Sequence, residues 1–195
     1  MFANSIDRHS AGRREITPHR RLLLKGLAAL PLALPFTSAA ATGGRYRLKF
    51  RHTHTDERLD VVYRDGSGYL APEIERMNWL MRDFRSDQTT RMDPRLFDIL
   101  HALSLTCGGE MFEIISAYRS PLTNAILRKA HRGRVARHSL HLDGRAIDVR
   151  LVGFDTTRLR DAALALGLGG VGYYPKSDFV HVDTGEVRKW GRMSG

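Results

Sequence analysis

Two short segments near the C-terminal end restrict this chain more than anything else in its sequence. GRAIDVRL (144–151) and FVHVDTG (179–185) alternate between aliphatic residues and residues carrying acid, base or imidazole. Successive side chains of a strand point to opposite faces. Ile147, Val149 and Leu151 therefore share one face, and Ala146, Asp148 and Arg150 the other. In the second segment Val180 and Val182 oppose His181 and Asp183. Both segments read as strands that bury an aliphatic row and present acid or imidazole on the reverse side.

The remaining segments supply a sheet and its cover. RYRLKFRHTHTDERLDVVYRDGSG alternates like two strands closing on a glycine-bearing turn, and MFEIISAY reads as a buried strand. APEIERMNWLMRDFR and DPRLFDILHALSLTC carry apolar residues at helical spacing. The second of these starts at Asp93-Pro94 and stops at Gly108-Gly109. SPLTNAILRKAH, with Ser120 and Pro121 at cap and first-turn positions, and DTTRLRDAALALG read as two more helices. GGVGYY is a further strand. At 195 residues, with no repeat and no long linker, the expectation is one α+β domain over residues 42–195. Its helices pack on a small, mainly antiparallel sheet, with a metal site at one end of that sheet.

Residues 1–41 are set apart. Arg20 and Arg21 precede a leucine-rich run containing Lys25, Pro31 and Pro35, and Ala39-Ala40-Ala41 follows. That order of basic, apolar and small residues is a signal peptide of twin-arginine type. The apolar run is shorter than the roughly 20 residues of a spanning helix, so no transmembrane span is expected after cleavage. An uncleaved anchor is the alternative. Removing this leader takes away six basic and two acidic residues, reducing the net charge from +10 to +6. The remaining basic residues are dispersed, with no stripe interleaved with aromatics, which argues against nucleic acid and towards an anionic envelope polymer. Cys107 is the only cysteine, so no internal disulfide forms. It reads as a small buried side chain.

Gly144 permits a tight turn that brings His141 back over Asp148. If the two late strands are neighbours, His141, Asp148 and His181 converge. Two imidazoles and a carboxylate suit Zn²⁺ and leave a fourth position open, as a catalytic zinc site does. Hydrogen-bonded histidines with salt-bridged aspartates at a sheet end are the alternative.

The run Ser139-Leu-His141-x-x-Gly144-x-Ala146-x-Asp148, followed by GGVGYYP and FVHVDTG, resembles the zinc D-Ala-D-Ala carboxypeptidase and murein endopeptidase family. Its exported, twin-arginine-type murein endopeptidase branch is the most similar. The resemblance spans HTDERLDVVYRDG to the Trp190 region. It implies zinc at His141, Asp148 and His181, and a guanidinium, Arg119 of SAYRSPLTN, near the metal to hold a carbonyl or steady an oxyanion. It also implies that Ser139 orients the ligand loop or a substrate oxygen, with a turn hydroxyl as the alternative. One departure concerns the general base. Carboxypeptidases of the family place a glutamate three residues before the last histidine, where this chain has Asp178. Strand parity puts Asp183 on the metal-facing side and Asp178 away from it unless the loop turns there, so Asp183 is the expected base and Asp178 the alternative.

Tyr173 and Tyr174 are candidates for peptide contact or for packing, with Tyr173 taken as substrate-binding. His52 and His54 share a strand face without a metal framework. His131 and His138 lie in a basic stretch, and His138 is a candidate for the cleft mouth. The implied function is a monomeric, periplasmic zinc metallopeptidase that hydrolyses peptide cross-links of peptidoglycan in cell-wall remodelling, with the stem peptides as partners. The alternatives are a D,D-carboxypeptidase or dipeptidase on wall peptides, a zinc hydrolase for another D-amino-acid peptide, and a non-catalytic peptidoglycan-binding module.

Overall fold

The structure is a computed structural model and describes residues 44–130 and 136–191. The leader of residues 1–41 and His131 lie outside the described residues. The chain runs β1 (Tyr46–His52), β2 (Arg58–Asp65), β3 (Gly68–Tyr69), α1 (Ala71–Leu80), α2 (Pro94–Cys107), β4 (Met111–Ser116), α3 (Pro121–Ala130), β5 (Ala146–Leu151), α4 (Thr156–Leu166), β6 (Gly170–Tyr174), β7 (Phe179–Asp183) and β8 (Arg188–Gly191). All eight strands form one sheet in the order β3-β2-β1-β4-β5-β7-β6-β8.

Alternation decides which face is covered. Leu48, Phe50, Val61, Tyr63, Phe112, Ile114, Ile147, Val149, Leu151, Val171, Val180 and Val182 are buried with Met77, Leu96, Leu100, Leu103 and Leu159 of the helices. α1 packs on β2, α2 on β1 and β5, and α4 on β5, β6 and β7. The other face is polar, with pairs such as Arg47–Asp60, Arg51–Glu113 and Arg150–Glu113. The helix boundaries follow local chemistry. The Asp93 carboxylate accepts from Arg95 N, Pro94 opens α2, and Gly108 closes it in the left-handed region. Asp155 caps α4 by accepting from Arg158 N at 2.9 Å. α1 stops at Leu80, short of its apolar pattern, because Arg82 turns back. Its guanidinium lies over Trp79 and donates to the Trp79 carbonyl, Glu57 and Asp87. Among the described residues no helix is long and apolar enough to cross a membrane.

Two expectations need correction. The sheet is mixed rather than mainly antiparallel, because β1 pairs parallel with β4 and β6 with β8. β4 returns parallel to β1 after the long excursion through β2, β3, α1 and α2. β8, whose RKWG sequence has no aliphatic row, had no strand signal. It reaches the outer edge of β6 because the chain passes close over Gly169, where a β-carbon would fall 1.8 Å from the Asp183 carbonyl oxygen. The second correction is positional. Asp148 and His181 are cross-strand partners within β5 and β7, so the cluster sits on the polar face of central strands, not beyond a sheet end.

Candidate metal centre

Strand parity places Asp148 and His181 side by side on the polar face, and the loop before β5 brings the third residue. Gly144 has φ of 66°, and a β-carbon there would meet Arg91 O at 2.7 Å. The turn it allows is closed by Arg145 N donating to Leu140 O and is tied to Asp93 through Gly144 O. His141 is carried over Asp148, as the spacing of the two residues suggested. A register shift between Ile114 and Ser116 does the rest. Ile114 pairs with Val149 on the core side, whereas Ser116 pairs with Asp148 on the polar side. The extra residue reverses the alternation, as a bulge does, and delivers the following Ala117–Arg119 segment to the cluster.

One ligand atom from each of His141, Asp148 and His181 lies within 4.8 Å of the others, and all three residues are buried. His141 Nε2 is 3.2 Å from His181 Nδ1 and 3.3 Å from Asp148 Oδ1, and His181 Nδ1 is 2.8 Å from Asp148 Oδ1. The opposite edge of each ring has its own partner. His141 Nδ1 donates to the Ala117 carbonyl at 2.6 Å, leaving Nε2 as the free lone pair. His181 Nε2 donates to Asp183 Oδ2 at 3.1 Å, leaving Nδ1. A tetrahedral zinc with bonds of about 2.0–2.1 Å spaces its ligands roughly 3.3 Å apart. The donor set, its lone-pair directions and its spacing fit that ion.

The electrostatics follow from burial and pairing. Burial lowers the His141 pKa, with Arg119 and His181 adding to the effect against the attraction of Asp148. Burial also disfavours charge on His181, but hydrogen bonds to Asp148 and Asp183 outweigh it and raise the pKa. Burial opposes ionisation of Asp148, yet His141 and His181 together hold its carboxyl well below the ordinary range.

Arg119 stands at the cluster. Its Nη2 donates to Asp148 Oδ2 at 2.5 Å and its Nε to Ser116 Oγ at 2.9 Å. The turn that holds it is anchored by the buried Asp83, whose carboxylate accepts from Ser120 N. Ser139 is half-buried at the start of the His141 turn, where its carbonyl accepts from Leu142 N. His138 is exposed.

The structure gives each of the three other candidates its own surroundings. Asp183 shares the polar face but lies at the far edge of the His181 ring. Its Oδ1 accepts from Gly170 N at 3.1 Å and Gly185 N at 2.8 Å, and Arg188 donates to both oxygens. Burial opposes ionisation of Asp183, but the His181 hydrogen bond, with Gly185 N and Arg188 adding to it, holds the carboxyl low. Asp178 sits in the left-handed region at φ of 52° just before β7. There its carboxylate accepts from Arg150 Nη1 at 3.0 Å and Thr156 Oγ1 at 2.8 Å. Tyr173 is on the helix-covered face, buried, with its hydroxyl on Thr157 Oγ1 and Arg160 over its ring. Strand parity gives the polar face to Tyr174 instead. Of the bystanders, His52 is buried and His54 stacks on Phe84 at 4.0 Å, which leaves neither as a ligand of the cluster. Trp190, 5.0 Å from the His181 ring, escaped the sequence reading because its strand carried no alternating signal.

Residues 39–190 match the family described as peptidoglycan L,D-endopeptidase MepK. The peptidoglycan L,D-endopeptidase MepK of Escherichia coli K12 is 41% identical over 175 residues, covering 88% of this chain and 96% of that protein. A probable peptidoglycan L,D-endopeptidase MepK of Haemophilus influenzae is 41% identical over 145 residues, covering 73% of this chain and 77% of its own length.

Proposed function

The chain belongs to the peptidoglycan L,D-endopeptidase MepK family, and from that membership we propose how its residues cleave the peptide cross-links of peptidoglycan. The enzyme is a metallopeptidase acting on peptidoglycan. The observation that carries the residue assignment is the convergence of one ligand atom each from His141, Asp148 and His181 on the polar sheet face. These three residues would hold a single zinc, which when bound would supply Lewis acidity to the scissile carbonyl and to the attacking water.

The chain's own groups do the remaining work. Ala117 O fixes the His141 tautomer, and Asp183 does the same for His181. Asp183 is thus a positioning residue rather than the base that strand parity suggested, because its fully buried carboxylate sits on the edge of the His181 ring that faces away from the cluster. Asp178, at the position the family uses, takes the proton of the attacking water and returns it to the leaving amine. Arg119 donates to Asp148 Oδ2 and directs its guanidinium at the developing oxyanion. Ser139 orients the His141 turn.

The site works in the periplasm, reached through the twin-arginine leader of residues 1–41, and the enzyme acts as a monomer on stem peptides. Arg20→Lys with Arg21→Lys holds a reporter fusion in the cytoplasm; normal export of that double variant refutes the leader type. The test of function is incubation of the protein with defined cross-linked muropeptides, with and without a chelator. Chelator-sensitive cleavage of the cross-link is expected. Release of only a terminal residue from uncross-linked stems points to the carboxypeptidase reading instead. Binding without any cleavage points to a non-catalytic module.

A further inference from the structure

The polar face divides unevenly around the metal cluster. On the β4–β5 side it carries charge, with Arg150 between Glu113 and Asp178. On the β6–β7–β8 side it carries a row of rings. Tyr174 and Phe179 are cross-strand partners whose rings stack at 4.6 Å with a 22° tilt. The Trp190 indole lies 5.0 Å from the His181 ring and donates its N–H to the Tyr174 hydroxyl at 2.9 Å. That indole fills the space of the missing side chain at Gly172, where a β-carbon would come within 2.6–2.8 Å of ring atoms. None of these rings serves the helix-covered core. Tyr174 is 38% exposed, and Phe179 and Trp190 are half-buried.

We infer that Tyr174, Phe179 and Trp190 form a wall that binds the hydrocarbon part of the peptide residue next to the scissile bond. The inference rests on the peptidase reading of the cluster. Its first support is chemical. The indole N–H is satisfied by the tyrosine oxygen, so apart from the Tyr174 O–H the wall offers ring surface and suits methylenes and methyls. Its second support is scale. The row starts beside a metal ligand and continues along β7 from His181 to Phe179, roughly 6.6 Å for two strand residues. An extended peptide advances about 3.3–3.6 Å per residue. The wall therefore matches one or two residues flanking the cleaved bond, and a sugar at the far end of a stem peptide would lie beyond it. Charge on the opposite side, at Arg150, suits the polar end of the same ligand.

The chain has two tryptophans, Trp79 and Trp190, so in the full-length Trp79→Phe variant the fluorescence comes from Trp190 alone. Titration with a free stem tetrapeptide is expected to shift that emission saturably, and the peptide-free disaccharide is expected to leave it unchanged. Tyr174→Ala is expected to raise KM for cross-linked muropeptide about tenfold with kcat within about twofold, the signature of lost uniform binding. Tyr174→Phe, which keeps the ring, should retain the original KM and guards against a folding defect. A response to the disaccharide alone overturns the inference in favour of a saccharide platform. No response to peptide together with an unchanged KM in Tyr174→Ala also overturns it, leaving the rings as edge packing. If the protein cleaves no cross-linked peptide, the proposed function falls, and the titration by itself still decides the wall.

Discussion

Replacing Asp183 by Asn tests whether this carboxylate holds His181 or accepts a proton from water. The side chain is fully buried and receives only donors: His181 Nε2 at 3.1 Å, Gly170 N, Gly185 N and the Arg188 guanidinium. An amide has one oxygen and one NH₂. With the oxygen towards the glycine N–H groups, the NH₂ faces His181 and Arg188. With the oxygen towards His181, the NH₂ faces the two backbone donors. Either way buried donors oppose each other, a penalty of about 1–3 kcal/mol for each unmade bond. His181 loses the partner that keeps its Nδ1 lone pair on the cluster, so zinc affinity should fall roughly 10–100-fold, as for other lost outer-shell partners of metal ligands. Competition with a chromogenic chelator measures that fall. At saturating zinc the variant should recover most of its kcat, whereas Asp178→Asn should keep its zinc and lose roughly 10²–10⁴-fold in kcat, as a missing general base does. Unchanged zinc affinity with a collapsed kcat in Asp183→Asn would refute this reasoning and make Asp183 the base.

Three further outcomes are expected. At a free zinc concentration about 100-fold above Kd, the ion should stabilise the protein by about 2.7 kcal/mol. Calorimetry of chelator-treated and reloaded protein tests this, and equal melting temperatures count against the site. Burial, reinforced by the charges of His54 and Arg82, pushes the His52 pKa down to about 4. The unfolded chain thus binds a proton between pH 6.5 and 4 that the folded chain refuses. Stability should fall through that window by at most about 3 kcal/mol. Denaturant titrations should give a shallower pH slope for His52→Leu, and equal slopes would refute this. Gly169→Ala, whose β-carbon would meet the Asp183 carbonyl at 1.8 Å, should destabilise the fold by more than about 3 kcal/mol. A melting temperature close to that of the parent would show that the start of β6 and the end of β7 can move apart.

The clustering of Asp148, His181 and His141 was legible because alternation is a local signal. One glance at IDV and VHV fixes which side chains share a face, and Gly144 signals the turn that returns His141. The strand order that makes β5 and β7 neighbours is not local, and it entered only as a condition. The contacts of Asp183 were hidden for a related reason. Parity correctly puts Asp183 beside His181 but does not tell which ring nitrogen it meets, and that depends on Gly170, Gly185 and Arg188 arriving from elsewhere. Tyr173 and Tyr174 illustrate the same limit from the other side. Either parity fits an isolated YY pair, and only the pairing of Gly172 with His181 selects Tyr174. Ser116 was beyond reach, because its register shift has no signature in MFEIIS. β8 was invisible for want of an aliphatic row.

That last strand has a consequence for the order in which the protein becomes competent during synthesis. All three cluster residues have been added by residue 181, yet Arg188, which steadies Asp183, and Trp190, which flanks His181, come from the final described strand. A nascent or prematurely terminated chain ending before Val187 holds His141, Asp148 and His181 but lacks both supports and the outer edge of the sheet. The surroundings of the cluster are therefore complete only when β8 docks, so truncated products carry its three residues without the side chains that flank them.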